Sequence, residues 1–179
     1  MKQRELHFPG CQDASLFGQA WLPERAPRAV IVISHGLAEH GGRYADLAAR
    51  LVESGYAVYA IDHRGHGRSS GRRANIERFD YLVSDLGIFI GRAQREHPDA
   101  TVILLGHSMG GTVALACALQ YHKGLRALVL SAPALAAGEA LPAFKVWIVK
   151  LLSVIAPNMG ALTLPAAAVS RDPAVVRAY

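Results

Sequence analysis

Cysteines and long apolar runs are both scarce in this chain. Its 179 residues include Cys11 and Cys117, whose spacing fits neither a metal site nor a redox pair. No apolar run reaches the length of a membrane-spanning helix, and the N-terminus, MKQRELHFPG, lacks the apolar segment of a signal peptide. The net charge of +5 comes from scattered arginines without aromatic interleaving, which argues against a nucleic-acid surface. We therefore expect a globular cytoplasmic protein that needs no metal or other cofactor and binds no nucleic acid.

Apolar runs of strand type alternate with stretches of helical period over most of the sequence. Residues 3–9 and 14–22 alternate weakly around Pro9-Gly10, which is typical of an antiparallel hairpin at a sheet edge. The rhythm that follows predicts an α/β fold, a mostly parallel sheet with helices on both faces. Strands are predicted at residues 29–34, 56–61, 101–105 and 127–131, and helices at 43–54, 80–97 and after 108. In the second helix we expect Asp80 to cap the start and Leu82, Leu86, Phe89, Ile90 and Ala93 to face inward.

The composition changes after residue 133. Residues 134–179 are rich in Ala, Leu, Val and Pro and contain no clear strand, so we separate them from a core at residues 1–133. Residues 144–156 have a helical period and a wide apolar face edged by lysines. This helix either packs against the core or also contacts lipid at a membrane surface, and the pattern leaves both open. A further helix is predicted to start at Pro173.

The segment TVILLGHSMGGTVALACAL, residues 101–119, carries the clearest chemical signal. An apolar strand ends in Gly106-His107-Ser108-Met109-Gly110 and passes directly into an apolar helix. This G-x-S-x-G pattern predicts a nucleophile elbow, a serine at the apex of a strained strand-to-helix turn. Glycine at positions 106 and 110 is expected because side chains there would collide with the crossing backbone. Ser108 is therefore the candidate nucleophile.

A serine that attacks a carbonyl needs donors for the negative charge that develops on the carbonyl oxygen. The amide of Met109, at the helix start, is one predicted donor. The second is the amide of Leu37, in the loop His35-Gly36-Leu37 that follows the strand at 29–34. His35 and His107 flank these positions and are interpreted as structural residues.

A base that removes the serine proton is harder to assign. In hydrolases that use this elbow, the acid and then the histidine follow the serine on later loops. Beyond Ser108 the chain offers His122 as its histidine and Glu139 and Asp172 as acids. His122 is predicted at the far end of the helix that starts at the serine, roughly 20 Å from the hydroxyl. Asp172 is expected to cap the helix at Pro173, so the chain has no evident acid or base.

Together these segments resemble the monoacylglycerol lipase branch of the α/β-hydrolases, which overlaps with serine aminopeptidase-like and lysophospholipase relatives. The similarity is carried, in the same order, by HGLAEHGGRY (35–44), YAIDHRGHGRSSG (59–71), GHSMGG (106–111) and LVLSAPAL (128–135). It implies that Ser108 is the nucleophile, that Leu37 and Met109 form the oxyanion hole, and that residues 134–179 begin a lid. Glu39 and Arg43 would border the pocket for the glycerol end of a substrate, or else form an ion pair that fixes the oxyanion turn. The later strands that carry the family's catalytic Asp and His are absent.

The resemblance implies a serine hydrolase that cleaves lipid esters, most specifically monoacylglycerols, without a cofactor. A lysophospholipase, a proline-type peptidase and a non-catalytic truncated product are the alternatives. Because the Asp and His are missing, we expect little or no turnover from the 179-residue chain. A sheet that stops after residue 131 would also leave one edge unpaired, which favours association between copies.

Overall fold

The computed structural model describes residues 1–121 and 123–135, together with Pro173 and Val176. The chain divides into two compact units, Met1–Ala136 and Ala137–Tyr179. All of the strands and helices with defined bounds lie in the first unit. The predicted helix at 144–156 and the residues His122, Glu139 and Asp172 lie outside the described residues, so the lid at 134–179 stays a prediction. Pro173 and Val176 are helical, in agreement with the helix predicted to start at Pro173.

A six-stranded sheet forms the centre of the first unit, with strand order β1-β2-β4-β3-β5-β6. β1 and β2 form an antiparallel hairpin, β2 runs antiparallel to β4, and the remaining neighbours are parallel. The α/β fold and the N-terminal hairpin predicted from the sequence are thereby confirmed. The strands are β1 (Lys2–Pro9), β2 (Ser15–Leu22), β3 (Val30–Ser34), β4 (Ala57–Asp62), β5 (Val102–His107) and β6 (Leu125–Ser131).

Helices pack on the sheet, and the sheet separates two apolar clusters, one on each face. Side chains alternate along a strand, so Val30 and Val32 of β3 join one apolar cluster while Ile31 and Ile33 join the other. A continuous β-branched run is what a parallel strand covered on both faces requires. The helices are α1 (Ala45–Glu53), α2 (Phe79–Glu96) and α3 (Met109–Gln120).

The inward stripe predicted for the second helix is confirmed. All five predicted side chains are buried in α2, namely Leu82, Leu86, Phe89, Ile90 and Ala93, and Val83 is buried beside them. The predicted cap is wrong, because α2 begins at Phe79 and its N-cap position is Arg78. Asp80 instead lies in the first turn and forms an ion pair with Arg78 across 2.8 Å. A carboxylate in the first turn still interacts favourably with the helix dipole.

The first helix also starts later than its period predicts. Gly41–Tyr44 form a 3-10 turn, and the α-helix begins at Ala45. Ala48 and Val52 are buried, whereas Leu47 is 39% exposed. Leu47 lines a cavity of the first unit.

At the end of the sheet, β6 pairs with β5 alone among the described strands. Its side chains are half-buried or exposed, and Val129 is 46% exposed. An unpaired edge of this kind presents free backbone donors and acceptors. The association between copies expected from the sequence remains a prediction.

Candidate active site

Ser108 lies at the junction between β5, which ends at His107, and α3, which begins at Met109. Its backbone has φ 49° and ψ −120°, a conformation that side chains other than glycine rarely adopt. Such strain persists only where the surroundings impose it, and it is common at functional residues. The Ser108 amide donates to the Ser131 carbonyl oxygen at 3.0 Å, and the Ala134 amide donates to the Ser108 carbonyl oxygen at 3.1 Å. Contacts from the end of β6 and from the residues that follow it therefore hold the bend in place.

Two glycines allow the bend to form. A Cβ atom on Gly110 would overlap the carbonyl oxygens of Ser34 and His35 at the end of β3. A Cβ atom on Gly106 would lie 2.5 Å from the carbonyl oxygen of Gly110. Because Gly110 has no side chain, the first turn of α3 can approach the end of β3 and the loop that follows it.

That loop faces Ser108. A Cβ atom on Gly36 would lie 3.3 Å from Cβ of Ser108 and 3.3 Å from Cδ2 of His107. Leu37 follows with a side chain that is 38% exposed, and Ala38 turns the chain with a positive φ of 58°. Gly36 is thus adjacent to the strained serine, Leu37 follows Gly36 in sequence, and Met109 directly follows Ser108.

Glu39 is bonded within this loop. Its Oε2 atom accepts the Gly36 amide at 3.1 Å and the Tyr44 hydroxyl at 3.1 Å. Arg43 is more distant, with 3.8 Å between its Nη1 and Oε1 of Glu39. Burial and the Glu39 carboxylate both raise the pKa of the Tyr44 hydroxyl, so Tyr44 remains a donor at neutral pH.

A cavity of about 450 Å³ lies beside the loop and the elbow. Leu47 and Leu105 give it apolar walls, and Glu39 and Arg43 give it charged ones. An apolar cavity with a few polar groups is typical of a site for a small ligand. The other lining residues are Tyr44, His107 and Ser131.

Three histidines beneath the loop form a buried cluster. The ring centroid of His35 is 4.7 Å from that of His63 and 5.2 Å from that of His66. Burial lowers the pKa of His35 to about 4 and holds the pKa of His63 well below its ordinary value. Burial also lowers the pKa of His66. All three are therefore neutral at pH 7 and act as hydrogen-bonding groups.

The other predicted histidine, His107, contacts the last residue of β6. Its Nδ1 lies 3.1 Å from the carbonyl oxygen and 3.1 Å from the hydroxyl of Ser131. Within residues 1–121 and 123–135, the Ser108 hydroxyl has no hydrogen-bonding partner. Among the described residues, Ser108, Met109, Gly36 and Glu39 thus lie in one region, and no carboxylate or imidazole hydrogen-bonds to the Ser108 hydroxyl.

Sequence reasoning missed the loop after β4 as a support for the site. Asp62 accepts the Gly41 amide at 2.6 Å and the Arg68 amide at 2.8 Å, so its carboxylate ties this loop to the turn before α1. His63 reaches Ser34 through its Nε2, 2.8 Å from the serine hydroxyl. The polar, glycine-rich stretch directly after a buried strand was the available signal.

In the described part of the chain, no group of His, Cys, Asp or Glu residues has the arrangement of a metal site.

Comparison with known proteins agrees with this geometry. The sequence profile of the family described as serine aminopeptidase, S33, matches residues 25–179. The chain belongs to this family. Within it, the similarity to monoacylglycerol lipases places the chain in that branch of the α/β-hydrolases and confirms the resemblance inferred from the motifs.

Two relatives and one solved structure show the extent of the match. The chain is 42% identical to the monoacylglycerol lipase of Mycolicibacterium smegmatis over 175 residues, covering 98% of this chain and 62% of the relative. It is 36% identical to human monoglyceride lipase over 174 residues, covering 97% of this chain and 57% of the relative. The crystal structure of a monoacylglycerol lipase from Paleococcus ferrophilus aligns with a TM-score of 0.71 and 30% identity, covering 100% of this chain and 62% of that structure.

The chain thus spans about three fifths of the length of these relatives. The fold and the matching family are those of the α/β-hydrolases. No helix in the described part of this family member has the length and apolar character needed to cross a bilayer.

Proposed function

We propose that this chain carries the nucleophile and oxyanion hole of a serine hydrolase that cleaves carboxylic esters, with monoacylglycerols as the substrate class. The observation that supports this most directly is the strained backbone of Ser108, φ 49°, directly opposite the Gly36-Leu37 loop. Strain at a half-buried serine between a strand and a helix is what a nucleophile elbow requires. The names of the relatives support the substrate class.

In the proposed reaction, Oγ of Ser108 attacks the ester carbonyl carbon as its proton passes to a base. The amides of Leu37 and Met109 stabilise the negative charge that develops on the carbonyl oxygen. Met109 is the first residue of α3, where amides have no acceptor inside the helix. The alcohol then leaves with a proton, and water hydrolyses the acyl-serine to release the fatty acid.

The base is not among the described residues near Ser108. In this fold the acid and the histidine follow the serine on later loops, so a complete site needs residues beyond those of the first unit. Without a base, an oxyanion hole and binding alone still leave roughly 10³-fold catalysis over water. We therefore expect slow acylation of Ser108 in the 179-residue chain.

The substrate would enter beside the 450 Å³ cavity. Its apolar walls suit an acyl chain, and Glu39 and Arg43 suit a hydroxylated leaving group. An amide substrate is the second candidate, because the matching family is described as a serine aminopeptidase. An ester and an amide substrate differ in the leaving group, and so do a monoacylglycerol and a lysophospholipid.

Acylation of Ser108 is the direct test. The chain and its S108A variant are incubated with p-nitrophenyl butyrate, and intact mass and peptide mapping follow the added butyryl group. We expect slow modification at Ser108 that S108A abolishes. Equal modification of both proteins would refute the assignment of Ser108, and labelling at the rate of a complete serine hydrolase would refute the absence of a base.

The same measurement ranks the substrate classes. A monoacylglycerol, a lysophospholipid and an aminoacyl amide are supplied in turn at one concentration. We expect the monoacylglycerol to leave the largest fraction of acylated Ser108. Preferential transfer from the amide would favour the peptidase.

A further inference from the structure

Gly36 is held by hydrogen bonds on both of its peptide groups. Its amide donates to Oε2 of Glu39 at 3.1 Å. Its carbonyl oxygen lies 2.7 Å from Nδ1 of His35 and also accepts the Glu39 amide at 3.4 Å. A glycine would otherwise rotate freely about both dihedral angles, so these contacts restrict the most flexible residue of the loop.

The direction of the His35 hydrogen bond follows from its other ring nitrogen. Nε2 of His35 accepts the backbone amide of His63 at 3.0 Å, so it carries no proton. A neutral imidazole then has its proton on Nδ1, and Nδ1 donates to the Gly36 carbonyl. His35 is fully buried and cannot turn away.

Fixing the Gly36 carbonyl also fixes the amide of Leu37. The two groups belong to one planar trans peptide and point in opposite directions. The positive φ of Ala38, 58°, closes the turn on the following side. The orientation of the Leu37 amide is therefore determined by the groups that hold Gly36.

We propose that Glu39 is a positioning residue, whose carboxylate acts with His35 to hold Gly36 so that the Leu37 amide faces the carbonyl oxygen at Ser108. This role rests on the proposed function and extends it, because Glu39 then affects every acyl substrate and not only those with a glycerol group. Its Oε2 atom already accepts the Gly36 amide and the Tyr44 hydroxyl. A substrate hydroxyl at Oε2 would have to compete with both, whereas Oε1 lies 3.8 Å from Nη1 of Arg43.

Variants that separate hydrogen bonding from charge and size test this role. E39Q keeps an acceptor of the same length, E39M keeps the length without an acceptor, and E39A removes both. E53A, at an exposed glutamate near the end of α1, is the matched control. Each protein is acylated with p-nitrophenyl acetate, which has no glycerol group, and the rate of acetylation at Ser108 is measured over a range of ester concentrations.

We expect E39M and E39A to acetylate Ser108 at least tenfold more slowly than the wild type at saturating ester, with half-saturation unchanged. Removing an oxyanion donor costs about 10²–10³-fold in rate, and a misdirected donor should lose part of that. E39Q should stay within about threefold of the wild type, and E53A should equal it. Far-UV circular dichroism and the 15N–1H spectrum verify that the variants share the wild-type fold apart from the loop.

Two results would separate failure of this role from failure of the function. If E39M and E39A acetylate as fast as E39Q while S108A does not react, Ser108 is the nucleophile and the positioning role of Glu39 is refuted. If E39Q is as slow as E39M, the charge and not the hydrogen bond matters, and the role is again refuted. If the wild type reacts no faster than S108A, the proposed function falls and this role with it.

Discussion

Acid should destabilise the first unit through the buried imidazole of His35. Burial lowers its pKa from 6.5 to about 4, against the opposing effect of the hydrogen bond with the Gly36 carbonyl. Because the pKa is lower in the folded state than in the unfolded state, the unfolded chain binds more protons between these values. The free energy of unfolding is therefore at its full value above pH 6.5 and falls as the pH drops towards 4.

The linkage relation gives a loss of about 2 kcal/mol between pH 7 and pH 5 from His35 alone. His63 and His66 have lowered pKa values as well and act in the same direction. Asp62 and Glu39 lie near the imidazole and favour its protonation, whereas the charge of a protonated His66 opposes it. The net direction remains acid destabilisation.

Urea denaturation at pH 7 and pH 5, followed by circular dichroism, measures this loss. The H35Q variant should lose about 2 kcal/mol less than the wild type between the two pH values, whatever its stability at pH 7. H40Q removes an exposed histidine from the same loop and should leave the pH dependence unchanged. An H35Q variant with the wild-type pH dependence would refute the buried, neutral state of His35.

Two further predictions concern stability. Asp85 is fully buried and accepts hydrogen bonds from Arg64 at both carboxylate oxygens, at 2.7 and 3.0 Å. D85A leaves the guanidinium without its carboxylate and should lower the free energy of unfolding, measured in urea, by about 3–5 kcal/mol. D99A, at an exposed aspartate, should change this free energy little, and equal effects of the two variants would contradict the prediction. Glycine adopts the backbone conformation of Ser108 without strain, so the free energy of unfolding of S108G, measured in urea, should exceed that of S108A by about 1 kcal/mol. An S108A protein as stable as S108G would show that the turn is unstrained.

The elements of the fold were predictable because they depend on local patterns. The β-branched run at residues 29–34 needs no partner to indicate a buried strand, and the stripe on α2 follows from a period of 3.6 residues. The elbow was equally visible, since G-x-S-x-G between an apolar strand and an apolar helix is a local pattern. The start of α1 was mispredicted because a 3-10 turn and an α-helix share most of their apolar spacing.

The contacts that support the site had no such local signal. His35 and His63 meet because β3 and β4 are parallel neighbours, with Ile33 beside Ala60. The ion pair Arg64–Asp85 joins the loop after β4 to α2, and these residues are 21 positions apart in sequence.

The amino-acid sequence alone determined the strands, the helical stripes and the sharp turn at Ser108, because short-range sterics and side-chain periodicity act along the chain. The tertiary structure decided which polar groups meet, because a hydrogen bond between distant residues forms only once the sheet has brought their backbones into register. The two hydrogen bonds that fix Gly36, one to Glu39 and one to His35, illustrate the local and the tertiary contribution. The bond from Glu39 lies within the loop, whereas the proton on Nδ1 of His35 depends on an amide from the next strand.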